Sequence, residues 1–157
     1  MKSRDELLQV LDGVCADVRD SAIGEEEVAE RIVLVASSDG TVDAATGTST
    51  HRAGDVVAFV NDSGVPFVEQ SDDLISQVAS LQPEAVLLAG SALTGRPGAA
   101  FQKVLAVQLF SVIYDIRMAR IASVEETNGV ISAVAPWKDV KAGPRVWAER
   151  LLRPNTK

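Results

Sequence analysis

Cysteine and histidine each occur once in this 157-residue chain, at Cys15 and His51. A single cysteine excludes an internal disulfide, and one cysteine with one histidine cannot build the usual Cys/His zinc site within one chain. Carboxylates could still hold magnesium or calcium, although the calcium-loop spacing of an EF-hand is absent. Aromatic residues are also scarce, at 4%, so the core is expected to be aliphatic. No long apolar run is present. The longest apolar run without a formal charge lies between Lys103 and Asp115 and leaves eleven residues, against the roughly 20 that a membrane-spanning helix needs. Basic residues are few where acids are many: residues 1–75 hold 5 Lys or Arg against 16 Asp or Glu. Phosphate neutralisation by Lys and Arg supplies most non-specific affinity for polyanions, so general nucleic-acid binding is excluded.

What is present fits one domain. Apolar residues make up 46% of the chain, mostly Val, Ala, Leu and Ile, enough for a real core at this length. The charged opening Met1-Lys2-Ser3-Arg4-Asp5-Glu6 stands where a secretory signal would need an apolar stretch, and with the lone thiol it points to a soluble cytoplasmic protein. We divide the chain into an α+β domain over 1–137 and a basic tail over 138–157. The tail has 6 basic and 2 acidic residues and suits docking on the acidic body of the same or a neighbouring subunit.

Ser3-Arg4-Asp5-Glu6 reads as a capping box, followed by a helix with Leu7, Leu11, Val14 and Val18 on its apolar face and Cys15 beside them as a core residue. Three stretches read as hairpins, each with a polar turn ending in glycine. They are Ile32–Ala36 with Thr41–Ala45, Val56–Val60 with Val65–Glu69, and Ile121–Thr127 with Val130–Val134 across Asn128-Gly129. Ser71-Asp72-Asp73 opens a second helix, with Leu74, Ile75, Val78 and Leu81 as its apolar face and Pro83 as its stop. Ala85–Ala89 is continuously apolar and reads as a central strand. From about Ala99 to Arg117 the pattern predicts a long helix, apolar nearly all round from Val104 to Ile113 and buried in the domain or between subunits. A last short helix after Gly143-Pro144 carries Val146, Trp147, Leu151 and Leu152. The expected architecture is an antiparallel or mixed sheet of three hairpins plus one central strand, packed against helices that include the long buried one.

Between the central strand and the expected long helix lies Gly90-Ser91-Ala92-Leu93-Thr94-Gly95-Arg96-Pro97-Gly98. Ser91, Thr94, Gly95 and Arg96 would offer hydroxyls, amides and a guanidinium to a phosphate or carboxylate at a helix N-terminus. The spacing of Gly90, Gly95 and Arg96 resembles the Walker A loop of P-loop nucleoside triphosphatases, with Arg96 in place of the lysine and Pro97 in place of the Ser/Thr that holds magnesium. A second constellation, Asp55 and Glu69 on the limbs of the middle hairpin, then a helix and a buried strand, resembles the core of PD-(D/E)XK nucleases over about residues 55–89. That family's lysine two residues after the second acid is Ser71 here, so a group that would polarise the attacking water is missing. His51 stands in the polar link Thr48–Arg52, where proximity along the chain is no triad.

The leading expectation is a non-catalytic protein that works by association, as an oligomer or as an adaptor or regulatory subunit for a protein partner. Its interface would use Val107 and Phe110 of the apolar helix with Trp147, Leu151 and Leu152 of the tail. The rival is an anionic small molecule held at the Gly90–Gly98 loop, and the last is a divergent metal-dependent nuclease. No cofactor, metal or catalytic residue is assigned, and no membrane partner is expected.

Overall fold

The structure, a computed structural model, describes residues 3–36, 48–53, 55–61, 64–78, 81–94, 98, 100, 102–141 and 150–152, with the backbone alone at 48–53, 71 and 94. It is an α+β fold. Helix α1 (Arg4–Ala22) is followed by strands β1 (Arg31–Val35), β2 (Thr48–Ala53) and β3 (Val56–Asn61), a 3-10 turn at Phe67–Gln70 and helix α2 (Ser71–Val78). Strands β4 (Ala85–Thr94), β5 (Gln102–Ser111), β6 (Ile116–Thr127), β7 (Val130–Val134) and β8 (Lys138–Val140) complete it. Every strand pairing is antiparallel, in the order β2-β3-β1-β4-β5-β6-β7, and β8 pairs with β6 as well. No helix among the described residues is long and apolar enough to cross a membrane.

Local chemistry sets several elements as expected. The Ser3 hydroxyl accepts from the Glu6 amide at 3.2 Å and the Ser3 amide donates to the Glu6 carboxylate at 3.1 Å, completing the capping box of α1. Leu7, Leu11, Val14, Cys15 and Val18 are all buried on its inner face. Burial pushes the Cys15 thiol pKa up, with the Arg120 guanidinium bonded to it acting in the opposite sense. Asn128 and Gly129 take φ of 56° and 83°, the double positive φ of a type I′ turn, so β6 and β7 form the third hairpin. Leu74, Ile75, Val78 and Leu81 are buried as the α2 face predicts, and β4 is central, with neighbours on both edges.

The expected long helix is absent. Residues 102–111 are β5 and 116–127 are β6, joined by a turn over 112–115 in which Asp115 adopts φ of 52°. A strand buried on both faces and a buried helix carry the same uninterrupted apolar run, so periodicity cannot separate them. The turn Val112-Ile113-Tyr114-Asp115 hides the boundary because it has no glycine or proline, and its left-handed position falls to an aspartate, which tolerates it.

Two of the three hairpins are also redrawn. Both edges of β1 are taken, by β3 and by β4, so Ile32–Ala36 does not form the first hairpin; its expected turn and second limb lie outside the described residues. β3 pairs back with β2, while Phe67–Gln70 is a 3-10 turn and not a second strand limb. Phe67 is fully buried there, and anchoring that ring outweighs the β propensity of the flanking valines.

Two apolar layers sandwich the sheet. One face carries Val33, Val35, Ala85, Leu87, Leu105, Val107 and Leu109 under α1. The opposite face carries Ile32, Leu34, Val57, Phe59, Val86 and Phe110 under Phe67, Leu74, Ile75, Val78 and Leu81. The tail closes back on this second layer: Leu151 is 1% exposed within it, and Arg150 lies 3.6 Å from the Asp72 carboxylate.

Candidate binding groove

Side chains alternate across a strand, so residues in phase with Ile32, Phe59, Val86 and Phe110 lie on the α2 face all along the sheet. Further along the same strands, these positions become Glu30, Asn61, Leu88, Gly90, Ala92, Ala106 and Gln108. Leu88 pairs with Gln108, Gly90 with Ala106 and Ala92 with Val104. The side chains shrink here, and an open hollow of about 590 Å³ replaces the layer. Its floor crosses β3, the lead into β1, β4 and β5. At about 4.8 Å between strands that is a width of roughly 14 Å, the length of about four extended residues.

The walls are tied to the floor by polar contacts. Glu30 Oε1 accepts from the Phe67 amide at 2.8 Å and from Asn61 Nδ2 at 3.2 Å. Asn61 Nδ2 also donates to the Val65 carbonyl at 2.7 Å, as does Gln70 Nε2 at 2.8 Å. These bonds hold the Gly64–Pro66 wall upright, with Val65 and Val68 left 44% and 51% exposed beside it. Opposite, residues 28–30 press on β4. Gly90 has φ of 152°, and a Cβ there would meet the Glu30 Cα at 3.3 Å, so only glycine fits without displacement.

The charge of the groove has one sign. Glu27 and Glu30 line it, and no Lys, Arg or His is among the described lining residues. Gln108 is the polar residue that β5 contributes to the floor, and its Oε1 is shielded from water with no hydrogen-bond donor in reach. Such an acceptor costs about 1–3 kcal/mol while unmatched. A neighbouring hollow of about 670 Å³ shares Glu27 and adds Glu25 and Glu26. Its Lys103 Nζ is engaged by Glu126 and the Glu26 carbonyl, both at 3.0 Å.

The expected anion loop has a different setting. β4 runs on through Thr94 and pairs with β5, the next described strand, so the loop lies between two strands and no helix begins among the described residues there. Ser91 lies at the groove edge, its hydroxyl accepting from the Val28 amide at 2.9 Å. Thr94 ends β4, while Gly95 and Arg96 lie outside the described residues. Of the expected interface residues, Val107 and Phe110 are covered within the chain, at 0% and 2% exposure, so the premise of an apolar helix seeking a partner is gone. Leu151 is a core residue, Leu152 packs partly buried beside it, and Trp147 lies outside the described residues. Asp55 sits in the turn between β2 and β3 and Glu69 in the 3-10 turn, so the two acids are not on paired strands. His51 is on β2. Among the described residues no group of three or more His, Cys, Asp or Glu is placed to hold a metal.

No local motif singles out Glu30, Asn61 or Gln108. The available signal is phase: a glutamate in step with Ile32 and Leu34, and a glutamine in step with Phe110 inside the apolar run from Val104. Comparison with protein-family models, curated proteins and solved structures gives no match for this chain.

Proposed function

We propose that the chain is a non-catalytic association protein and that the groove receives an extended segment of a protein partner. The observation carrying this reading is the half-empty α2 face. A layer that is closely packed over β1, β3 and the start of β4 gives way to small side chains and an open hollow about four residues long. Exposed Val65 and Val68 on one wall extend the apolar surface available to such a segment. Peptide grooves of this kind combine apolar floor with a few polar groups that fix register. A buried lone thiol at Cys15 suits a cytoplasmic setting. Against an anionic small molecule at Ser91 weigh two carboxylates and the prior engagement of the Ser91 hydroxyl.

The test is panning of a displayed random-peptide library on the wild-type chain, with counter-selection on Ala106→Trp, a variant that fills the groove. Its melting curve serves as the check on folding. Peptides captured by the wild type and lost on the filled variant support the reading. Capture that ignores the filling, or no capture, overturns it.

A further inference from the structure

No further inference is drawn: the strongest candidate outside the groove, the apolar surface patch that exposed Val112 and Ile113 form at the turn between β5 and β6, carries none because nothing in the structure shows what covers it.

Discussion

The two halves of the α2 face differ in side-chain size, and that difference divides structure from function. Over one half, Phe59, Phe67, Phe110, Leu74 and Leu81 fill the space between sheet and helix, each at most 2% exposed. Over the other, Gly90, Ala92 and Ala106 leave it open. The strands are the same and so is the phase; only the volumes change. Folding free energy is therefore concentrated in the first half, because burial of large apolar groups drives it, while the second half keeps an open, shaped surface lined by Glu30, Asn61 and Gln108. The hollow is supported from the filled side, since Glu30 bonds the amide of Phe67, whose ring is part of the packed layer.

Substitutions can break that contrast in graded steps. The largest effect is expected from Phe67→Ala, which empties a fully buried site and should lower stability by about 3–5 kcal/mol in urea titration. Gly90→Ala comes next, at about 1–3 kcal/mol, because its positive φ and the 3.3 Å approach to Glu30 both resist a Cβ. Glu30→Ala should cost a similar or smaller amount, about 1–3 kcal/mol, by leaving the Phe67 amide without its acceptor. A direct comparison sharpens the point: Ala36→Leu in the filled half should destabilise by about 1–3 kcal/mol through overpacking, whereas Ala92→Leu in the hollow should stay within about 0.5 kcal/mol. Equal costs for that last pair would show that the hollow is not open space.

The smallest effect concerns pH. Burial raises the Cys15 pKa in the folded chain, so folding favours the protonated thiol. Its contribution is fully present below the ordinary thiol pKa of about 8.5 and is lost as pH rises past that value through the raised one. The stability difference between wild type and Cys15→Ala should therefore shrink across alkaline pH, as read by urea midpoints. A constant difference would mean that the thiol does not titrate differently in the folded state.

The legible parts of this fold are those governed by neighbours along the chain. Ser3 and Glu6 announce α1, Asn128-Gly129 announces the β6–β7 turn, and the acids after Ser71 announce α2, because caps and turns are contacts within a few residues. β5 was illegible for the opposite reason. Its run of Val, Leu, Ala and Phe suits burial of any kind, and whether it extends or coils depends on β4 and β6 lying on either side. The groove is illegible for a related reason: Glu30, Asn61 and Gln108 are separated by 31 and 47 residues and meet only through strand pairing.

Sequence by itself determined the acidic character of the first half, the aliphatic core, the lone thiol's place on the inner face of α1, and the lack of a Cys/His metal set, since each follows from composition or from spacing within a few turns. Tertiary structure alone decided that the apolar run after Lys103 is a strand, that Val107 and Phe110 are core, and that small residues on β4 and β5 open a groove over Gln108. The physical reason is that burial and hydrogen-bond satisfaction belong to places in space, and antiparallel pairing brings to one place residues that no local pattern connects.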